Sequence, residues 1–439
     1  MPGSWWCPMY DLAYFTSREN ITVLSLSIEQ QIIIEHEKKR PLRLADFLPT
    51  SGKNKPTPKI LLKHLTLFVL TVATVSTVST ILVGKDLQTT MALGFPLPFP
   101  SYDDFMTGLL FAGLLLGFLT FHEFGHYFAA VYHNVAVSLP YYIPLPLGIG
   151  TLGAVIRIRE PIKTTTKMFD IGAAGPIAGF VVSLIILLIG FATLPEPEFL
   201  NQFGDHNYMI EQFEQTGEYP EAPQVGEGQI VFFFGGTLLY NFFSSLFTNA
   251  PPLWEIMHYP FLLAGWFGLF FTALNLMPVG QLDGGHILYT LIGYKKHRIV
   301  ARVFFIGITI LASLEAVPII NGFITKYDNQ FFLLSWSLWA LLLFLIFQKA
   351  FYRETKWVGV GLLASLTGAL GYAFFFAQDN GTEGSLIWLF WVFFITFFVK
   401  VEHPPVLIEE PLSPTRKVLG WLSMCIFVLC ISFNPLSFQ

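Results

Sequence analysis

The chain is punctuated by apolar runs of the length a helix needs to cross a bilayer, about 20 residues, and this feature limits every other choice. The runs fall at about 64–84, 106–130, 172–194, 260–278, 300–320, 331–348, 357–377, 385–399 and 417–434. A water-soluble fold could not bury them. Of 439 residues, 53% are hydrophobic and 16% aromatic, Phe alone contributing 46, and only 13% are charged, against roughly 25% in a typical soluble chain. The expected fold class is therefore an all-α polytopic membrane protein with about nine transmembrane helices. The net charge of −5 offers no basic face for nucleic acid. Three cysteines, Cys7, Cys425 and Cys430, supply neither a disulfide framework nor a cysteine metal cluster.

Orientation follows from the basic residues, which concentrate in cytoplasmic loops. With the N-terminus inside and nine alternating spans, all of the 25 Lys and Arg except Lys85 and Lys326 fall on the cytoplasmic side. The loop 195–228 carries Glu196, Glu198, Asp205, Glu211, Glu214, Glu218, Glu221 and Glu227 with no Lys or Arg, and belongs outside. The run 229–249 is apolar enough to suggest a tenth span, but a crossing there would put Lys295, Lys296 and Arg298 outside. It is read instead as re-entrant or lying at the outer interface. Residues 1–59 mix apolar stretches with Glu37-Lys38-Lys39-Arg40 and a Pro/Lys-rich 52–59, which suits a cytosolic segment and linker and lacks the pattern of a signal peptide.

Ionisable groups inside the hydrocarbon region are costly and mark function. The second run holds His122-Glu123-Phe124-Gly125-His126. On a helix, positions i and i+4 share a face, so His122 and His126 can offer two imidazoles to one tetrahedral zinc ion. Glu123 stands about 100° around the helix, where it can reach a metal-bound water without binding the metal. A third ligand, commonly a carboxylate, is still needed. Two intramembrane acids compete, Asp283 and Glu315. Asp283 follows a helix broken by Pro278 and Gly280, and irregular backbone at membrane depth is tolerated where it lines an enclosed cavity. Both the 106–130 and 260–278 spans run from outside to inside, so Asp283 can meet His126 at similar depth, whereas Glu315 reads as a satisfied polar residue near the outer end of its helix. His286, one turn past Asp283, could brace the ligands from behind. On residues alone, a buried polar cluster or a transporter's proton relay stays open as an alternative.

HEFGH in one span and NLMPVGQLDGG in a later one resemble the two signature motifs of the site-2 protease family of intramembrane zinc metalloproteases. FDIGAAGPIAGF at 169–180 is similar to that family's glycine-rich core helix, and EHPPV at 402–406, followed by Pro411-Leu412 and Arg416, resembles a C-terminal feature of its plastid and bacterial branch. The resemblance implies a three-helix metalloprotease core. It implies that His122, His126 and Asp283 hold Zn2+ and that Glu123 is the general base. The base would take a proton from a water whose pKa zinc lowers to about 7 and pass it to the leaving amine. Asn275, by the same analogy, would hydrogen-bond the substrate backbone or steady the oxyanion. Segment 139–160, too proline-broken for a helix, suggests a short re-entrant β-hairpin turning near Gly148 to Gly153 with Arg157 and Arg159 in water, with a plain amphipathic loop as the alternative. In the family such a strand is thought to pair with substrate unwound into extended form.

The expected organisation is a cytosolic segment 1–59, a first transmembrane helix and outer loop 60–105, a catalytic core 106–295 with its acidic insertion 195–228, and C-terminal transmembrane helices 296–439. No room is left for a PDZ-like domain between the motifs, so the outer segment is expected to cap or gate lateral access of a substrate helix. The function implied is hydrolysis of peptide bonds in or near transmembrane helices of other membrane proteins, that is, regulated intramembrane proteolysis. Its partners would be those substrates and the lipid bilayer. The expected location is the bacterial inner membrane, with the N-terminus and active site toward the cytoplasm. A transporter using the same His/Glu/Asp cluster is the rival reading, although the two halves show no internal repeat. A silent scaffold has no support, since every expected ligand and the base are present. No feature sets an oligomeric state.

Overall fold

The computed structural model describes residues 55–82, 88–92, 95–99, 102–204, 206–223, 232–325, 332–375 and 386–438. Most of the proposed cytosolic segment 1–59 thus lies outside the described residues, as do Asp205 and Glu227 of the acidic loop. All nine apolar runs are helical at their centres. They form α1 (Pro58–Leu82), α2 (Tyr102–Tyr132) and α3 (Thr165–Ala192), with a two-stranded sheet, β1 (Gln88–Ala92) and β2 (Phe95–Phe99), between the first two. After the outer insertion come α6 (Pro260–Asn275) and α8 (Tyr294–Thr325), separated by the short α7 (Asp283–Ile292). The C-terminal set is α9 (Phe332–Ala350), α10 (Thr355–Phe375), α11 (Leu386–Phe394) with a π turn Ile395–Val399, and α12 (Pro414–Cys430).

Five of these helices, α1, α2, α3, α8 and α9, are long and apolar enough to cross a membrane by length and composition, and α6 and the α11 segment are shorter apolar helices. The protein is therefore a multi-pass membrane protein, and nine crossings is a finer statement than helix length supports. The outward faces agree with lipid contact. Leu61, Leu62, Leu65 and Val69 on α1 and Leu338, Leu341 and Leu345 on α9 are exposed, in apolar patches that water would penalise.

Local chemistry sets the helix ends. Thr164 caps α3 by accepting the Lys167 N–H, Pro260 opens α6, and Ser413 with Pro414 starts α12. Helix α6 stops at Asn275, just before Pro278, and the chain turns through Gly280 at φ +54° before α7 begins on Asp283. Only a residue without Cβ fits at Gly280, whose missing side chain faces the Lys400 carbonyl and whose N–H donates to Val401 O at 2.9 Å.

Segment 229–249 does not form a spanning helix. Its described part is β5 (Phe232–Phe234) and the seven-residue α5 (Leu238–Ser244), preceded in the insertion by a 3-10 turn Pro197–Phe203 and α4 (Asn207–Thr216). Strand β5 pairs antiparallel with β6 (Leu436–Phe438) at the chain's end. Thr164 bridges to Ile408, and Thr165 Oγ1 donates to Glu410 O at 2.8 Å. Each pairing joins two segments that the distribution of basic residues puts on one side of the bilayer, outer for the first and inner for the second.

The hairpin forms where it is expected, with β3 (Tyr141–Pro144) antiparallel to β4 (Thr151–Val155) and Gly148 and Gly150 at positive φ in the turn. Arg157 and Arg159 are exposed. The hairpin leans on α1, where His64 Nδ1 meets Pro140 O at 2.8 Å and Thr74 Oγ1 donates to Gly150 O at 2.8 Å. Buried residues of α2, α3 and α6 form the centre of the core, among them Phe111, Leu115, Phe118, Leu187, Leu262 and Phe270.

Candidate metal centre

Helix α2 presents His122, Glu123 and His126 inward, the residues being 3%, 6% and 7% exposed. Asp283, the first residue of α7, meets them from across the break. Its Oδ2 lies 3.2 Å from His126 Nε2 and 3.5 Å from His122 Nε2, and the two imidazole nitrogens are 3.2 Å apart. Donors about 2.0–2.1 Å from a tetrahedral zinc are separated by about 3.3 Å, so the three residues fit the ion without rearrangement. The set is right in kind as well as in spacing, since two imidazoles and a carboxylate are a zinc set with one position left for water or substrate. His126 is held in register by its Nδ1, 2.6 Å from the Ile171 carbonyl, the usual support that orients a ligating imidazole. His122 Nδ1 is buried without a hydrogen bond.

The glycines of α3 make this closeness possible. A Cβ on Gly175 would overlap His126 Nε2, one on Gly179 would come 3.0 Å from His122 Nδ1, and one on Gly172 would come 3.0 Å from His286 Cβ. The contact is reciprocal, because a Cβ on Gly125 of α2 would stand 2.5 Å from Ala174 O. The repeated small residues of 169–180 therefore form the wall against which the imidazoles lie. Glu123 stands outside the trio and accepts from the backbone of Ile156, just beyond β4. Thr120, one turn earlier on α2, is 2.7 Å from the Tyr142 hydroxyl of β3. The hairpin is thus fastened beside the base.

Asn275 closes α6 and is half-buried at the start of the break. His286 is outside the trio. Its Nδ1 lies 2.7 Å from His403 Nε2, which makes it the start of a support that spacing alone misses. His403 belongs to the EHPPV segment, which threads back under the break. There Arg302 of α8, 1% exposed, bonds Glu402 through Nε at 2.8 Å and Glu354 through Nη1 at 2.7 Å. Asp170, at the start of α3, receives Arg416 at 2.7 Å on each oxygen and His133 at 2.8 Å. The only sequence cue to these pairs was that charged residues flank apolar helices. Glu315 lies on α8 away from the trio.

The sequence profile of peptidase family M50 matches residues 110–314, from α2 through most of α8. The protein named "Probable zinc metalloprotease EGY1, chloroplastic" from Arabidopsis thaliana is 30% identical over 210 residues, covering 46% of this chain and 34% of its own. The rice protein of the same name is 28% identical, covering 57% of this chain and 37% of its own. "Probable zinc metalloprotease EGY2, chloroplastic" from Arabidopsis thaliana is 26% identical, covering 65% and 45%. The chain thus spans between a third and a half of the length of these relatives. No solved structure matches. The relatives are plant proteins named as chloroplastic, so the bacterial inner membrane expected above gains no support. The ligand motif and the carboxylate motif both lie inside residues 110–314, the segment that matches the profile of peptidase family M50.

Proposed function

We propose that this chain is an intramembrane zinc endopeptidase that hydrolyses peptide bonds in or near the transmembrane helices of other membrane proteins, in the manner of regulated intramembrane proteolysis. One observation carries the reading: His122, His126 and Asp283 converge with a buried Glu123 beside them, on helices that lie in apolar surroundings. In this reading the metal is held by those three residues and, when bound, supplies Lewis acidity that activates water and polarises the scissile carbonyl. Glu123 takes the proton from the attacking water on its carboxylate and returns it to the leaving amine nitrogen. Asn275, at the end of α6, offers its amide to the carbonyl oxygen as negative charge develops. The division into an N-terminal segment 1–59, a first helix and loop 60–105, a catalytic core 106–295 and supporting helices 296–439 is part of the same proposal, as is the placement of the N-terminus and active site toward the cytoplasm.

A helix in lipid hides its own amides, so a substrate must unwind before it can be cut. The hairpin has two strands, so among the described residues each keeps one edge without a strand partner, and an extended segment can add there. An apolar groove lined by Leu61, Leu65, Phe68, Phe124, Pro140 and Tyr142 runs between α1, α2 and β3. It provides a lateral path from lipid to the strand.

The test is elemental analysis of the purified full chain, alongside His126→Ala, Asp283→Ala and Glu123→Gln, with cleavage of a labelled transmembrane substrate. Zinc should be lost from the 122–283 site in the first two variants. In Glu123→Gln it should be kept while cleavage disappears. Metal retained in full by Asp283→Ala, or cleavage surviving Glu123→Gln, would sink the protease reading in favour of a structural or transport role.

A further inference from the structure

A second cluster of metal-binding side chains lies at the other end of α6, in the outer insertion. His206 precedes α4, and Glu255 and His258 are three residues apart on the 3-10 turn Leu253–His258, which runs directly into Pro260. Glu255 Oε1 lies 3.2 Å from His206 Nε2 and 3.4 Å from His258 Nε2, and the three donor atoms all lie within 4.8 Å of one another. The 16 residues of α6 put about 24 Å of helix between this group and the break that leads to Asp283.

Three further features separate it from an ordinary surface ion pair. The Glu255 side chain is only 4% exposed, and its Oε1 accepts no hydrogen bond. Both imidazole nitrogens therefore converge on that oxygen without the alignment of a direct N–H···O bond, as ligands arranged around a shared ion do. A buried carboxylate needs such a partner, since an uncompensated charge in an apolar setting is severely penalised. The rings are also preset. Phe203 stacks on His258 at 4.0 Å and 20°, and His206 stands edge-on to His258 at 84°. Finally, loop 195–228 has no Lys or Arg among its many acids, a field that concentrates cations.

We propose that His206, Glu255 and His258 form a second metal site, which takes a zinc-class divalent ion and fastens the outer insertion to the start of α6. Two imidazoles and one carboxylate select a d-block ion over Ca2+ or Mg2+, which prefer all-oxygen shells. Three protein ligands leave a fourth position for water or for a side chain of another protein. The ion would join two parts of the insertion about 50 residues apart in sequence, anchoring the insertion at the outer end of the helix that enters the catalytic break.

The experiment measures zinc per chain on the full-length protein in detergent and follows melting of the EDTA-stripped protein as Zn2+ is added. The expected stoichiometry is two for the native chain, one for His206→Gln/His258→Gln and one for His126→Ala/Asp283→Ala. Zn2+ should also raise the melting temperature of His126→Ala/Asp283→Ala, and this rise should vanish when Glu255→Gln is added. A native stoichiometry of one that His206→Gln/His258→Gln leaves unchanged overturns the outer site. If that variant misfolds and holds no metal, melting of the His126→Ala/Asp283→Ala chain decides, and a melting temperature indifferent to Zn2+ overturns the proposal. Zinc lost from the outer variant but retained by His126→Ala/Asp283→Ala would keep this site and refute the catalytic one, so the two readings fail separately.

Discussion

Replacing Gly175 by Ala should disable the metal centre although no ligand is touched. The added methyl carbon would overlap His126 Nε2, the nitrogen 3.2 Å from Asp283. Carbon and nitrogen at van der Waals contact are about 3.5 Å apart, so imidazole or helix must yield by more than about 1 Å. Neither has slack. His126 Nδ1 is tied to Ile171 O at 2.6 Å, and α2 and α3 already touch where Gly125 meets Ala174. A misplacement of about 1 Å in a catalytic constellation costs about 10²-fold, equivalent to about 2.7 kcal/mol of transition-state stabilisation. The assay is kcat/KM for a labelled transmembrane substrate in proteoliposomes, with zinc content measured on the same preparations. Gly179→Ala, where the methyl would come 2.9 Å from Phe118 Cε2 and 3.0 Å from His122 Nδ1, requires a smaller shift than Gly175→Ala and should cost several-fold. Gly113→Ala, on α2 with nothing within 4 Å of the added carbon, should leave cleavage unchanged. Cleavage by Gly175→Ala within threefold of the native rate, with zinc retained, would refute the view that α3 is the wall of the site. So would an equal loss in Gly113→Ala.

Removing one partner of a buried ion pair strands the other. Glu402→Ala should therefore lower stability by about 3 kcal/mol, with Glu354 still holding Arg302, and a melting temperature equal to the native one would contradict the buried geometry. Arg416→Lys keeps the charge but loses the two-oxygen grip on Asp170. About 1 kcal/mol should disappear in denaturant or thermal unfolding, and rescue to native stability would mean the fork contributes nothing. Burial, with His286 and His297 alongside, pushes the His403 imidazole well below the ordinary histidine range. The folded state thus resists a proton that the unfolded chain accepts below about pH 6.5. The stability from this group is complete above that pH and is lost as pH falls below it. The melting temperature of His403→Asn should fall less than that of the native chain between about pH 7.5 and 5, and parallel slopes would rule out this origin.

Much of this architecture is written locally. Hydropathy marks the nine helices, the i, i+4 spacing puts His122 and His126 on one face, and Pro278 with Gly280 announces the break ahead of Asp283, because helix periodicity and backbone stereochemistry act within a few residues. The hairpin at 139–160 is legible for the same reason. Parity of the spans, read from Lys and Arg, even brings Asp283 to the depth of His126. What lies beyond a turn or two of chain was settled only by packing. Gly175 and Gly179 look like ordinary small residues in an apolar helix until the imidazoles are seen against them. His403 and Glu402 lie 117 and 100 residues from His286 and Arg302, and no spacing rule links them. His206 joins Glu255 and His258 across the insertion in the same way. Hydropathy cannot foresee that 229–249 divides into a strand and a short helix, with the strand taking its partner from the last residues of the chain. Such pairings depend on which surfaces remain unsatisfied once the helices have assembled, and that is a property of the whole fold.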